Sequence, residues 1–271
     1  MGSADVTMNA PAIHIPPVPA AQRYGQLAFW SILAILLAWS FNPAEIYRAP
    51  LLVTDAGNMA KYASGFLSPN FADWKLYVSE MLITVHIAIW GTFLAILFGI
   101  PFSLLASNNV APAWVVQPVR RLMDACRAIN ELVFAVLFVV AVGLGPFAGV
   151  MAVFVHNLGI ISKLFSEAVE ASDPRPVEGI RATGATRLQE VIYGIVPQVM
   201  PLWLSYGLYR FESNVRGATV LGIVGAGGIG QLLFENIRGF YYGETAAIMI
   251  VVVVTVAIID IISQRLRKVL V

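Results

Sequence analysis

Charge is what this sequence has least of. Asp, Glu, Lys and Arg make up 12% of its 271 residues, against about 25% in an ordinary soluble domain. Hydrophobic residues make up 58%, and the mean hydropathy is +0.77. An ordinary cytosolic enzyme and a disordered chain are both excluded. Neither sign of charge dominates: 17 Lys and Arg stand against 16 Asp and Glu, a net charge of +1. No basic field is available to neutralise a phosphate backbone, so nucleic acid is not an expected partner. Cysteine is nearly absent. Cys126 stands alone, which excludes an internal disulfide, and His14, His86 and His156 lie too far apart in sequence for metal-ligand spacing. No His, Cys or carboxylate pair stands at catalytic spacing, and no G-x-x-x-x-G-K-S/T phosphate loop occurs. No catalytic residue, metal or cofactor is therefore assigned to the chain itself.

Long uncharged runs are what the sequence does have. A spanning helix needs about 20 mostly apolar residues. Tyr24 to Ala44 and Met81 to about Ala106 qualify directly. Leu132 to Ser162 is uncharged for 31 residues, and Gly143-Leu144-Gly145-Pro146 breaks it near its middle, so the pattern predicts a tight helical hairpin from about Ala128 to about Phe165. Val191 to Tyr209, with Pro197 and Pro201, makes a fifth span, and Thr245 to Gln264 a sixth. The expected fold is an all-α polytopic membrane protein of about six spans, working as a symmetric dimer in a lipid bilayer. Residues 1–22, with Pro11, Pro16, Pro17 and Pro19, read as an unstructured tail, and residues 23–271 as the transmembrane domain. No cleavage site follows the first span, which reads as a retained anchor.

Lys and Arg set the orientation. With both termini cytoplasmic, eleven lie inside: Arg23, Arg120, Arg121, Arg127, Lys163, Arg175, Arg181, Arg187, Arg265, Arg267 and Lys268. Six lie outside: Arg48, Lys61, Lys75, Arg210, Arg216 and Arg238. In the external loop, residues 42–75, Met59, Tyr62, Ala63, Phe66 and Leu67 recur at helical spacing and predict a short surface helix.

Between the fifth and sixth spans, Gly217 to Phe234 is uncharged but holds six glycines. A continuous helix is disfavoured there, at about 1 kcal/mol for each interior glycine. A broken or re-entrant segment is expected, buried in protein at membrane depth. Within it, Gly225, Gly227, Gly228 and Gly230 are candidates for a hinge or gate. Gly225 to Gly230 also spells G-x-G-x-x-G, with Glu244 lying 19 residues after Gly225. A dinucleotide site would need a parallel sheet with amphipathic crossover helices around it, which lipid-length apolar helices cannot supply. Ionisable residues in or beside spans usually face a bundle interior. Glu80, Glu131 and Asp260 lie near span ends. Arg210, Glu212, Asn214 and Arg216 sit between a proline-containing span and the glycine-rich break, and are candidates for a substrate path. Glu212 and Arg216 are also spaced for an ion pair within one helix, which would leave Arg216 no charge to offer a substrate.

The cytoplasmic loop, residues 166–190, is the most informative segment. Pro176 suits a first helical turn, Gly184 a left-handed stop, and Leu188, Val191 and Ile192 begin a new apolar helix. Glu178-Gly179-Ile180, then Gly184, then Gly194-Ile195-Val196-Pro197 resemble the motif of ABC importer permeases written E-A-A-x3-G-x9-I-x-L-P. Gly179 and Ile180 replace its two alanines, and Gly194 and Val196 its apolar Ile and Leu. In that family the loop forms a coupling helix seated on a separate ATPase subunit. The resemblance implies that Glu178, Gly179, Ile180, Arg181, Gly184 and Pro197 serve ATPase coupling. Gln117 to Glu131 and Tyr209 to Thr219 narrow it further, to the permease of the phosphonate ABC importer, over about Tyr24 to Val271. That family implies a second permease copy, two ATPase subunits carrying ATP and Mg, an extracytoplasmic phosphonate-binding protein, and a place in the bacterial inner membrane.

The function expected is ATP-driven import of a small organophosphonate anion, with no covalent chemistry on this chain. A permease for phosphite, phosphate or another small oxyanion is the nearest alternative. A secondary transporter would place paired ionisable residues at mid-membrane and need no coupling loop. A membrane enzyme would need a catalytic pair.

Overall fold

The computed structural model describes residues 20–270, so the tail expected over 1–22 lies outside the described residues as far as residue 19. Ala20 to Gln22 already belong to the first helix. Twelve α-helices follow in order among the described residues: α1 Ala20–Phe41, α2 Leu51–Thr54, α3 Ala56–Gly65, α4 Trp74–Leu105, α5 Ala113–Ala128, α6 Glu131–Val142, α7 Pro146–Glu170, α8 Pro174–Ala182, α9 Arg187–Gln189, α10 Val196–Leu221, α11 Ile229–Arg238 and α12 Tyr242–Leu270. No strand occurs among the described residues. Five helical stretches are long and apolar enough to cross a membrane, and the bent pair α5 and α6 would bring the number to six. The protein is an all-α polytopic membrane protein.

The chain divides into two compact units, residues 1–62 and 63–271. In the first, α1 exposes Phe29, Trp30, Ile32, Ile35 and Leu36, as a helix with lipid for solvent does. In the surface loop, α3 covers Met59 and Tyr62 of the expected short helix, and Phe66 and Leu67 follow its end.

The second unit is organised on α4 and α7. Along α4, Thr84, Ala88, Gly91, Ala95, Gly99 and Ser103 form a buried stripe of small residues. A Cβ on Gly91 would meet Val153, and one on Gly99 would stand 3.0 Å from Ile161 Cγ2, both on α7. Because lipid offers no hydrophobic drive to join helices, close approach through small residues supplies the contact by dispersion. Helix α10 packs across this pair. Its Trp203 stacks on Phe165 of α7 at 4.9 Å and 12°, and the indole N–H donates to the Phe165 carbonyl at 3.3 Å. Such a ring pair contributes about 0.5–1.5 kcal/mol beyond its buried area.

Two sequence expectations need correction. The third span does not begin near Ala128: α5 ends there, and α6 starts at Glu131 after a bend of 88°. Asn130 caps the new helix by accepting from the Leu132 N–H at 2.9 Å. With 12 residues, α6 is about 18 Å long, short of a full crossing. The fifth span does not end at Tyr209. Its helix runs on to Leu221, so Arg210 and Arg216 belong to a span and not to an outer loop.

Candidate functional site

The loop between α7 and α10 builds a short helix held at both ends. Asp173 caps α8, accepting from the Arg175 N–H at 2.9 Å, and its carboxylate also takes the Arg175 guanidinium, with Nη2 at 2.6 Å. The Arg175 side chain, and then its backbone N–H, hold the Asp173 carboxyl below the usual carboxylate range. The cap therefore persists as pH falls through the ordinary Asp titration and is lost only below it. After α8, Gly184 has φ +83°, where a β-carbon would be strained, and Thr186 and Gln189 form a capping box that starts α9.

Beyond α9 the chain is π-helical from Glu190 to Ile195. The regular helix α10 resumes with Pro197 in its first turn, where a missing N–H is tolerated. This join carries α8. Arg181 forks onto Glu190 with Nε at 2.9 Å and Nη2 at 2.8 Å. Glu190 holds the Arg181 guanidinium charged, raising its pKa first through the hydrogen bond and then through charge. Gln198 accepts from the Asp173 N–H at 3.0 Å and donates to the Gly194 carbonyl at 2.6 Å. Val177 and Ile180 face inward onto Gly194, while Glu178 and Gly179 are exposed. The six expected coupling residues thus divide. Glu178 and Gly179 offer an outward face, Ile180 and Arg181 seat the helix on its own subunit, Gly184 ends it, and Pro197 starts α10.

The four polar candidates on α10 also divide. Arg210 donates Nε at 2.9 Å and Nη2 at 2.6 Å to Asn157 Oδ1 on α7, and Nη2 reaches Asn214 Oδ1 at 3.5 Å. Asn214 in turn donates to Thr92 Oγ1 on α4 at 2.7 Å. Glu212 faces elsewhere. It accepts from Arg216 at 3.2 Å and from Arg267 of α12 at 3.4 Å, so Arg216 is in the intrahelical pair that its spacing predicts.

The glycine-rich segment is a broken helix. Helix α10 ends in a 3-10 turn, Gly222–Val224, and Gly225, Gly227 and Gly228 all have positive φ. Helix α11 then starts with the Ile229 N–H donating to Thr84 Oγ1 at 2.9 Å. Gly230 is helical, and its bareness serves packing instead: a Cβ there would run into the Thr219 carbonyl. The Gly225 carbonyl accepts from the Gly145 N–H at 3.0 Å, joining this turn to the one between α6 and α7. A helix precedes the G-x-G-x-x-G string where a dinucleotide site needs a strand, which disposes of that reading.

Residues 91–271 match the family described as the inner membrane component of binding-protein-dependent transport systems. The chain belongs to this family. It is 36% identical over 248 residues to a phosphite transport system permease protein of Stutzerimonas stutzeri, covering 91% of this chain and 89% of that one. It is 64% identical over 118 residues to a putative cryptic phosphonate transport system permease protein of Escherichia coli, covering 44% of this chain and 97% of that one. A chain of the MetNI methionine ABC transporter, solved in inward-facing conformations, shares the fold at 20% identity with a TM-score of 0.67, covering 74% of this chain and 99% of that one.

Four residues of this inner membrane component escaped the sequence reading: Glu190 and Gln198 at the loop, and Asn157 and Thr92 in the bundle. Asn157 had a signal, since a carboxamide in the middle of an uncharged run costs about 2–7 kcal/mol to bury without a partner. Glu190 and Gln198 carry no such mark, because polar residues at a span's entrance are unremarkable until their partners are known.

Proposed function

We propose that this permease passes a small organophosphonate anion inward across the bacterial cytoplasmic membrane, driven by ATP hydrolysis on separate ATPase subunits. One observation carries the coupling half of this reading: α8 is braced at both ends by its own subunit and keeps Glu178 and Gly179 free on its outer face. A helix held that way transmits a push without folding away from it. The working assembly we infer has two copies of this chain, two ATPase subunits holding ATP and Mg, and an extracytoplasmic phosphonate-binding protein. Both termini are cytoplasmic in this reading. Moving Arg210 and Arg216 into α10 leaves four Lys and Arg outside, Arg48, Lys61, Lys75 and Arg238, against the eleven inside, which strengthens the charge bias. Arg210 and Asn214 line the substrate path, with Glu212 and Arg216 bracing it. Gly225, Gly227, Gly228 and Gly230 form the hinge at which α10 and α11 shift between access states.

Organophosphonate is favoured by the 64% identity of the phosphonate-named relative. Phosphite is the second reading, favoured by the relative that matches over most of both chains. Uptake by proteoliposomes containing the permease, its ATPase and the binding protein separates them. ATP-dependent accumulation of methylphosphonate in preference to phosphite and phosphate is the expected result. Accumulation of phosphite alone would transfer the assignment to the second reading.

A further inference from the structure

The buried polar cluster around Arg210 has a charge imbalance that the helix packing does not require. Among the described residues, no carboxylate lies within ion-pair distance of Arg210, and Glu131 acts on it only through space. Its hydrogen-bond partners are neutral. Asn157, fully buried, donates its own Nδ2 to the Val153 carbonyl at 2.8 Å, which turns Oδ1 toward the guanidinium. Asn214, buried likewise, spends its Nδ2 on Thr92 and turns its Oδ1 the same way. Two amides are therefore oriented by α7 and α4 to act on Arg210 as acceptors only. They engage Nε and Nη2 and leave both N–H groups of Nη1 without a partner among the described residues.

An arginine inside a span is costly, and a carboxylate partner is the usual remedy. Glu212 sits two residues away on the same helix and is committed to Arg216 and Arg267. The bundle thus contains a carboxylate that pairs two other arginines and leaves this one half-buried with neutral hydrogen-bond partners only. We propose that Arg210 is a fixed contact for a tetrahedral oxyanion in transit, with Asn157 as the residue that positions it and Asn214 and Thr92 completing the cradle. A guanidinium held through Nε and Nη2 has the N–H groups of Nη1 left to donate to an oxygen of a phosphonate or phosphite group. Neutral acceptors hold its orientation while leaving the full positive charge for the passing anion. The proposal rests on the import reading above.

The test compares two substitutions at one atom. Asn157→Asp puts a carboxylate where Oδ1 stands and cancels the charge of Arg210. Asn157→Ser removes the acceptor geometry in part but leaves the charge. Uptake of methylphosphonate is measured in proteoliposomes per assembled complex, with assembly measured by size exclusion. Asn157→Asp should lower uptake by at least about tenfold, and Asn157→Ser, which loosens the guanidinium but leaves its charge free, by a smaller factor of about threefold. Undiminished uptake in Asn157→Asp would overturn the proposal. So would equal losses in both variants, which would make Asn157 a packing residue only. If the parent complex accumulates phosphite and not methylphosphonate, the substrate assignment fails instead, and the same pair of variants assayed with phosphite still decides the role of Arg210.

Discussion

Ile180 reaches across from α8 to Gly194: its Cδ1 lies 3.4 Å from the position a Cβ on Gly194 would take. The importer motif has Ala at the first of these positions and Ile at the second. Here the bulk stands on the other side of the contact, so two departures that looked separate in the sequence are one exchange of knob and hole.

Restoring bulk on one side alone should therefore fail. Gly194→Ile also confronts Val177, whose Cγ2 stands 3.1 Å from the Cβ position, and overpacking of this kind costs about 1–3 kcal/mol. Substrate-stimulated ATP hydrolysis should drop in Gly194→Ile and recover by at least half in the double variant with Ile180→Ala, where α8 gains room to shift so that its Val177 clears the new side chain. Equal defects in single and double variants would show that the two residues do not share one contact.

Arg181 and Glu190 should behave as a bracket, not as docking groups. Glu190 is only 11% exposed, so Arg181→Ala strands a carboxylate among packed residues, and Arg181→Lys cannot restore the fork. Amide hydrogen exchange over residues 174–182 should speed up severalfold in both variants. Protection unchanged from the parent would return Arg181 to the outer, ATPase-facing surface.

Glycines in this chain separate into those that need no side chain and those that cannot accept one. Gly179 has nothing within 4 Å of its Cβ position and lies inside a helix, so Gly179→Ala should raise stability by up to about 1 kcal/mol. Gly230→Ala drives a methyl into the Thr219 carbonyl and parts α11 from α10. Thermal unfolding of the detergent-solubilised complex should show a rise for the first and a clear fall for the second.

The pairing of Glu212 ranks two arginines. Arg216 is 64% exposed and Arg267 22% exposed. Arg216→Gln should leave uptake near the parent level because Arg267 still compensates Glu212. Arg267→Gln should lower both uptake and the unfolding temperature, since it also removes the guanidinium 5.8 Å above the Tyr209 ring. A larger loss in Arg216→Gln than in Arg267→Gln would reverse the ranking.

Orientation is open to direct labelling in a Cys126→Ala background. Ser68 and Arg175 are both exposed. An impermeant thiol reagent should label Ser68→Cys in intact cells and label Arg175→Cys only after permeabilisation. The opposite pattern would invert the topology.

Membrane class, approximate span positions and the coupling loop were legible because each is local. Scarcity of charge over 20 residues is a property of one segment, and Asp173, Gly184 and Thr186 direct their helix ends through bonds to neighbours a few residues away. The positive φ at Gly225, Gly227 and Gly228 was foreshadowed in the same way, by residues whose backbone freedom is their own. What decides the candidate site is not local. Arg210 finds Asn157 at a distance of 53 residues along the chain, and Asn214 finds Thr92 at 122. Hydropathy placed the end of the fifth span at Tyr209, but tertiary packing carries the helix on to Leu221 past Arg210, Glu212 and Arg216. There the cost of each polar group is met by partners on α4, α7 and α12. A sequence shows which groups are expensive to bury. Only the folded bundle shows which of them have been compensated, and that the partners holding Arg210 are two neutral amides.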